Sequence, residues 1–282
     1  MFSLADIPDE NTCRSILQQI VTSQRIDHCA CGRLLVWKQH LDYGWCKLCR
    51  KKVRPKAKSL FFSSKLTYAQ LFGLIGCWQH RHSPGSTATI LNLSYPTVHR
   101  WYGRFRENLP QDPSSRKLSG VVEVDEAFFG KKRYGGQVIV AGAIERDPNP
   151  SAIPNADLMV NTGCTRRLKL QIIPDTEQDS LEKFLEDNVE RGSLVVTDCH
   201  NGYHDIEWLG YPHETWNHSK GYFAGTNHIE QVWSAIKRYM RKLYGSIPTS
   251  DLQLILNEWE ARHNQPELFS SPENYLRRIV PD

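Results

Sequence analysis

From Gly120 onward the chain changes from helical patterns to a series of short strand-like segments. Val122 and Val124 alternate with Glu123 and Asp125, as is typical of a strand with one buried face. Further candidates follow in chain order: strands at 137–144 and 167–173, an amphipathic helix at 177–191, a short buried strand at 193–198, a weaker strand at 211–216, and terminal helices. This order restricts the C-terminal half to a mixed α/β fold.

Three acidic residues lie at the edges of these apolar segments. Asp125 is in the first strand, Asp198 ends the fourth, and Glu230 lies on a later helix. Acids at the ends of buried strands can converge on a divalent cation, and two such cations can drive phosphodiester chemistry. The chain has 31 acidic residues, however, and an acid at a strand end is more often a solvated loop residue. Both interpretations stay open on this pattern alone.

The helix that contains Glu230 has a clear apolar stripe. Its members follow the i, i+3, i+4, i+7 rule: Ile229, Val232, Trp233, Ile236, Tyr239 and Met240. Glu230 lies on a neighbouring face together with Asn227 and Lys237, and Lys237 is two turns further along. A carboxylate for metal and a lysine for phosphate on one helix face would suit a site that cleaves DNA.

The N-terminal part is rich in cysteine and basic residues. The chain has eight cysteines, and it has neither a signal-peptide pattern nor a long apolar run. We therefore expect an intracellular protein whose thiols are free or metal-bound. Residues 47–58 carry seven basic residues and no acid, although the net charge is only +4. Such a run is a solvated tail, a localisation signal or a phosphate-binding surface.

The cysteine spacing predicts a structural zinc ribbon. Cys46 and Cys49 form a CxxC pair, and an equal upstream gap would pair His28 with Cys31. The expected tetrahedral site is therefore His28, Cys31, Cys46 and Cys49, with Cys29 as the rival fourth ligand. The nearby basic side chains expected to contact DNA phosphates are Arg50, Lys51, Lys52, Arg54 and Lys58.

Residues 66–109 can form a helix-turn-helix. A first helix at 86–93 would be followed by a turn and by a recognition helix capped by Ser94 or Thr97. In that helix His99, Arg100 and Arg104 would face the major groove of DNA. The inward positions would be Val98, Trp101 and Phe105. A plain helical connector with an amphipathic stripe is the alternative.

Four strings carry a resemblance to a known family: VEVDEAFFGKKR, TDCHNGY, YPHETWNHSKGYF and GTNHIEQVWSAIKRYMRKLYG. They resemble the catalytic core of Merlin-type DDE transposases and their bacterial insertion-sequence relatives, which have an ISXO2-like transposase domain. The order of strands and helices is likewise that of the ribonuclease H-like fold, a mixed five-stranded sheet with helices.

The resemblance implies a function and a set of roles. Asp125, Asp198 and Glu230 would be the triad that holds two Mg²⁺ or Mn²⁺ ions, and Lys237 the accompanying basic residue. Asn227 is a supporting contact or the rival third ligand. The enzyme would cut DNA at element ends and join 3′-hydroxyls to target DNA. His200, Asn201, Tyr203, Asn217 and His218 adjoin these acids and are candidates to position DNA.

The expected organisation has five parts: an N-terminal helix (1–25), a zinc ribbon (26–60), a helix-turn-helix segment (61–112), the catalytic domain (119–265) and a C-terminal tail (266–282). The expected partners are terminal inverted repeats, target DNA and further copies of the chain, at least as a homodimer, with no membrane. The compartment would be the nucleus in a eukaryote, or the cytoplasm and nucleoid in a bacterium. Two alternatives are a domesticated DNA-binding protein with an inactive core and a ribonuclease H-like nuclease without strand transfer.

Overall fold

The computed structural model describes residues 4–23, 27–37, 43–111, 116–130, 136–146, 166–198, 201–216, 227–245 and 251–279. The chain divides into two compact units. The first unit comprises Met1–Pro110 and Glu267–Asp282, and the second comprises Gln111–Pro266. The first unit therefore contains both ends of the chain.

The described elements are as follows. The helices are α1 (Glu10–Ser23), α2 (Tyr68–Gln79), α3 (Pro84–Leu91), α4 (Tyr95–Glu107), α5 (Gln178–Asn188), α6 (Asn227–Tyr244), α7 (Leu252–Asn264) and α8 (Pro272–Ile279). The strands are β1 (Val36–Trp37), β2 (Gly44–Trp45), β3 (Lys52–Val53), β4 (Val121–Phe129), β5 (Val138–Glu145), β6 (Leu168–Ile173), β7 (Leu194–Asp198) and β8 (His213–Trp216). Within the described ranges, no helix is both long enough and apolar enough to cross a bilayer.

The core of the first unit forms around α2, which is apolar on nearly all sides. Trp78 at its C-terminal end is 1% exposed and lies 5.4 Å from Phe105 of α4 and 5.2 Å from Tyr275 of α8, between ring centres. The Tyr275 hydroxyl donates a hydrogen bond to the Phe105 carbonyl at 2.9 Å. Leu276 is also fully buried in this core. The expectation of a C-terminal tail at 266–282 is therefore wrong, because α8 completes the core of the first unit.

The first unit also contains a small antiparallel sheet in the order β1-β2-β3. Its strands are only two residues long. Cys29, Leu35 and Cys46 form the small buried cluster beside the sheet. So short a sheet with so small a core is typical of a module that needs a bound metal for stability.

The second unit is a five-stranded sheet in the order β6-β5-β4-β7-β8. β4, β5 and β6 are antiparallel neighbours, β7 runs parallel to β4, and β8 runs parallel to β7. One face packs against α5, and the other packs against α6 and α7. The expected mixed α/β class and five-stranded sheet are therefore confirmed.

Helix α7 also covers the outer edge of β6. The backbone N–H of Leu168 donates to Asn264 at 2.9 Å, and that of Ile172 donates to Gln253 at 3.1 Å. The Asn264 amide donates in return to the Leu168 carbonyl at 2.9 Å. Unpaired backbone groups at the edge of a sheet can form hydrogen bonds with a strand of another chain. The side chains of α7 occupy these groups of β6 and so oppose such pairing.

Candidate active site and metal centre

The strand register brings Asp125 and Asp198 to the same level of the sheet. β4 and β7 pair in parallel with Glu123 opposite Val196. Asp125 and Asp198 each follow this pair by two residues, and they are close enough for the charge of Asp198 to act on the Asp125 carboxylate. Residues in register on parallel strands face the same side, and this is the side that α6 covers.

Helix α6 lies very close to the sheet at this point. Gly142 of β5 pairs with Asp125, and a Cβ added at Gly142 would lie 2.5 Å from the indole ring of Trp233. The same indole donates its N–H to Asp125 Oδ2 at 3.0 Å. Glu230 is one turn earlier on α6 and is exposed, with its negative charge acting on Asp125. The three predicted acids thus share one side of the sheet.

The electrostatics of this site fit a cation. Burial raises the pKa of Asp125 to about 6, and the charges of Asp198 and Glu230 raise it while hydrogen bonds from the Glu126 backbone and Trp233 lower it. A bound divalent cation would relieve this repulsion, and hard carboxylate oxygens are the ligands that Mg²⁺ and Mn²⁺ prefer. The three carboxylates therefore have the ligand chemistry of the ions that the resemblance implies, although within the described part of the chain only four cysteine thiols of the first unit bring three or more ligand atoms within 4.8 Å of one another.

Two further predicted residues lie on α6. Asn227 is its first residue and is partly buried, whereas Lys237 is exposed. The Lys237 ammonium lies 5.5 Å from the centre of the Phe129 ring at the end of β4. Lys237 therefore lies near the end of the strand that contains Asp125, and its role beside Glu230 stays a prediction.

Glu123 is a buried acid whose importance the sequence pattern did not indicate. Glu123 is 0% exposed. The alternation of valines and acids along β4 predicted that the side of the strand with Glu123 faces solvent, but α6 covers that side. Burial alone would raise the pKa of Glu123, but hydrogen bonds and charges from His228 and Arg146 outweigh burial and lower it. The sequence feature that could have indicated this is an acid between two valines within a strand. Where both faces of a sheet are buried, such an acid needs hydrogen-bond partners.

Glu126 is the second acid that the pattern did not single out. Tyr203, which follows Asp198 in a short 3₁₀ helix, donates its hydroxyl to Glu126. Burial raises the pKa of Glu126 to about 7, opposed by this hydrogen bond and increased by the charges of Asp125 and Asp198. Tyr203 is fully buried, so it holds the chain after Asp198 against β4 and is unsuited to contact DNA.

The other candidates for positioning DNA cannot be placed. His200, Asn217 and His218 lie outside the described residues, as does the side chain of Asn201.

The predicted zinc site is formed by four thiols. Sulfur atoms of Cys29, Cys31, Cys46 and Cys49 all lie within 4.8 Å of one another. The hydrogen-bonded pairs among them are separated by 3.3, 3.5 and 3.8 Å. A zinc tetrahedron with Zn–S bonds of about 2.3 Å has sulfurs about 3.8 Å apart. A backbone hydrogen bond from Cys49 lowers the pKa of the Cys46 thiol to about 6, whereas hydrogen bonds to Cys29 and Cys46 raise that of the Cys49 thiol to about 12, because the neighbouring thiols share their protons. The four thiols therefore fit a structural zinc ion.

The expectation that His28 is the fourth ligand is wrong, and Cys29 takes that place. His28 pairs with Leu34 in an isolated β-bridge, and its imidazole lies 3.6 Å from Asp27 with about half of its side chain exposed. Successive side chains of an extended segment point to opposite sides, so His28 and Cys29 cannot face the same centre. A tight turn then returns Cys31 to the side of Cys29, with the Gly32 N–H donating to the Cys29 carbonyl at 2.8 Å.

The basic residues of the ribbon are mostly at the surface. Arg50, Lys51, Lys52 and Arg54 are exposed, and Lys58 is partly buried. Lys56 belongs to the same run but donates to the Leu66 carbonyl and lies over the Tyr68 ring, which gives it a structural role. Arg50, Lys51, Lys52 and Arg54 thus form an exposed basic surface, and their contact with DNA phosphates stays a prediction.

The helix-turn-helix candidate has the expected elements. α3 ends at Leu91 and is capped by Asn92, which has a left-handed backbone; Ser94 rather than Thr97 caps α4 by accepting the Thr97 N–H. The predicted inward residues Val98, Trp101 and Phe105 are buried. Arg100 and Arg104 are exposed. His99 is partly buried and stacks on Tyr95 at 5.8 Å between ring centres.

The fold and the converging carboxylates define a mixed α/β protein with an acidic site on one face of its sheet. Residues 117–264, just over half of the 282, match the family model described as an ISXO2-like transposase domain. The chain belongs to this family, as its motifs predicted.

Comparison with solved structures finds a similarity to the catalytic core domain of BIV integrase. The identity is 13% and the TM-score 0.32, and the alignment covers 52% of this chain and 84% of that chain. No curated protein matches the chain.

Proposed function

We propose that this protein is a DNA transposase that cuts at the ends of its element and joins the resulting 3′-hydroxyls to target DNA. The observation that supports this most is the position of Asp125, which lies under α6 with the Trp233 indole on its carboxylate and with the charges of Asp198 and Glu230 acting on it, in a chain of a transposase family. Three acids held together against their own repulsion are typical of a site for divalent cations.

Each residue of the acidic site has a role in this proposal. Asp125, Asp198 and Glu230 would together hold two Mg²⁺ or Mn²⁺ ions. When bound, the ions activate the attacking water or 3′-hydroxyl and stabilise the leaving oxygen. Lys237 would contact a DNA phosphate, since it is exposed two turns from Glu230. Asn227, at the start of the same helix, would be a supporting contact.

The first unit would bind the DNA. Zinc on the four thiols would fold the ribbon, and Arg50, Lys51, Lys52, Arg54 and Lys58 would lie against phosphates. Arg100, Arg104 and His99 of α4 would recognise the terminal repeats in the major groove. Because a transposition reaction acts on two element ends, at least two copies of the chain would assemble on the DNA.

The test is strand transfer by the purified full-length chain. The donor DNA would be cloned from both flanks of the reading frame, pre-cleaved to expose 3′-hydroxyls, and incubated with a supercoiled plasmid and Mg²⁺. We expect joined products from the wild type and none from Asp198→Asn. Arg191→Ala, an exposed arginine of the same unit, is the matched control and should join normally.

Two other outcomes would contradict the proposal. Hydrolysis of the donor without joining would identify a nuclease. Binding of the flanking DNA without cutting or joining, unchanged by Asp198→Asn, would identify a DNA-binding protein with an inactive core.

A further inference from the structure

The start of α6 is held by Glu123, a residue of β4. The first N–H groups of a helix have no partner within the helix and need an external acceptor. Here the N–H groups of His228 and Ile229 donate to Glu123 Oε2 at 2.9 and 3.2 Å. A carboxylate is the favoured acceptor at this position, because its charge also interacts with the helix dipole.

The second oxygen of Glu123 is equally occupied. Glu123 Oε1 accepts hydrogen bonds from His228 Nδ1 at 2.6 Å and from Arg146 Nε at 2.8 Å. An ionised carboxylate has about four acceptor positions, and these four donors fill them. Glu123 therefore has no lone pair left for a metal ion, although it lies only two residues from Asp125 and on the same face.

The position of this contact links two of the predicted metal ligands. Asp125 is two residues after Glu123 on β4, and Glu230 is two residues after His228 on α6. A helix rises about 1.5 Å per residue, so a slip of α6 by even one residue would move Glu230 by that distance relative to Asp125. Metal sites tolerate much smaller errors in ligand position.

We propose that Glu123 is a positioning residue that anchors the start of α6 on β4 and thereby sets the position of Glu230 relative to Asp125 in the acidic site. This inference rests on the proposed function, since it assigns Glu123 a part in forming the same acidic site. Arg146 and His228 complete the anchor by holding the Glu123 carboxylate in place.

The test measures metal affinity directly, without DNA. Full-length protein with its thiol site loaded with Zn²⁺ would be titrated with Mn²⁺ and followed by electron paramagnetic resonance. Glu123→Gln keeps an oxygen for the helix N–H groups but places an amide NH₂ against Arg146. We expect its Mn²⁺ affinity at the Asp125 site to fall about 10–100-fold, the usual effect of losing a residue that orients metal ligands. Strand transfer should recover at high Mn²⁺.

Glu258→Gln is the matched control. Glu258 is another fully buried carboxylate of the second unit, and it accepts hydrogen bonds from Tyr239 of α6 at 2.7 Å and from Arg262 of α7 at 2.8 Å. Its contact with α6 is more than two turns beyond Glu230. We expect Glu258→Gln to lower the melting temperature while the Mn²⁺ affinity stays within twofold of wild type.

The inference is overturned if Glu123→Gln folds and binds Mn²⁺ as tightly as wild type, or if both variants weaken binding equally. If Glu123→Gln does not fold, His228→Ala decides instead, because it removes the side-chain bond and keeps both backbone bonds. It should weaken Mn²⁺ binding in the same direction, and unchanged affinity would overturn the anchor.

The experiment also separates this inference from the proposed function. One outcome is that wild type binds Mn²⁺, that Asp125→Asn abolishes this binding, and that no DNA is cut or joined. The transposase proposal then fails, and the Mn²⁺ affinity of Glu123→Gln still tests the anchoring role of Glu123. If wild type binds no Mn²⁺ at the acidic site, the anchor is overturned as well.

Discussion

Trp233 of α6 donates its indole N–H to the carboxylate of Asp125 at 3.0 Å. The same side chain is 5% exposed, and its ring occupies the space that a side chain at Gly142 would need. Trp233 is thus both a core residue and a hydrogen-bond donor to a predicted metal ligand. The packed indole therefore holds the Asp125 carboxylate in one orientation through this hydrogen bond.

We expect Trp233→Phe to separate these two roles. Phenylalanine retains most of the packing but cannot donate, so the pKa of Asp125 should rise and Mn²⁺ binding near neutral pH should weaken. The loss in the free energy of unfolding should be about 1–3 kcal/mol. Calorimetric Mn²⁺ titration and urea unfolding measure the two effects. Unchanged Mn²⁺ affinity would show that the hydrogen bond does not orient Asp125.

Asp125 should make the metal-free protein less stable at neutral pH. Its pKa is about 6 in the folded chain against an ordinary value of 3.8, so the folded state binds more protons between these values. The free energy of unfolding therefore falls as pH rises through this window, and the loss is complete above it. Asp125→Asn removes the charge, so it should stabilise the metal-free protein at pH ~7.5 by on the order of 1–3 kcal/mol.

The measurement is urea unfolding with a chelator at pH ~4 and ~7.5, where wild type and Asp125→Asn should differ only at the higher pH. Glu190→Gln, at an exposed acid of the same unit that lies outside the helices, is the control and should behave as wild type at both. Equal stability of Asp125→Asn and wild type at both pH values would show that the ionised Asp125 carboxylate does not destabilise the folded protein.

The zinc assignment predicts opposite results for two adjacent residues. Cys29→Ser should abolish the binding of one Zn²⁺ per chain and weaken DNA binding, because a structural zinc site loses its closed tetrahedron. His28→Ala should keep the zinc, since His28 faces Asp27 and not the thiols. Elemental analysis of the purified proteins gives the stoichiometry. Loss of zinc from His28→Ala with retention in Cys29→Ser would reverse the assignment.

The C-terminal helix should be necessary for the first unit to fold. Leu276 is fully buried in that core, so Leu276→Ala should cost about 2–5 kcal/mol in the free energy of unfolding and weaken DNA binding. Arg278→Ala on the same helix, whose partner Glu267 is 3.9 Å away across an exposed ion pair, should change stability by less than about 0.5 kcal/mol. Thermal unfolding and a DNA mobility-shift assay test both. Equal stability of the two variants would show that α8 is a tail and not part of the core of the first unit.

The surface arginines of α4 should contribute electrostatically to DNA binding. Removal of Arg100 or Arg104 should reduce the slope of log affinity against log salt by about one for each phosphate that the variant no longer neutralises. Lys183→Ala, on the exposed side of α5, is a control in the second unit. Fluorescence anisotropy across a salt series measures the slope. An unchanged slope in both arginine variants would exclude these side chains from phosphate binding.

Local patterns in the sequence were sufficient for much of the fold. The 3.6-residue stripe of α6 correctly placed Trp233 inward and Glu230 outward, because helical periodicity depends only on neighbouring residues. Alternation in β4, and the apolar run that ends at Asp198, likewise predicted strands from short segments. The motifs around these acids also predicted the transposase family, since they are specific.

The tertiary structure decided what depends on contacts between distant segments. Glu123 and His228 are 105 residues apart, and neither local pattern indicates that one caps the helix of the other. Successive side chains of the extended segment at the His28–Leu34 bridge point to opposite sides. The side chain of Cys29, and not that of His28, therefore lies with the other three thiols. Burial of Tyr275 and Leu276 made α8 part of the first unit. The sequence by itself thus determined the elements and the identity of the acids, whereas packing determined how those acids are held, because burial and hydrogen-bond partners exist only in the folded chain.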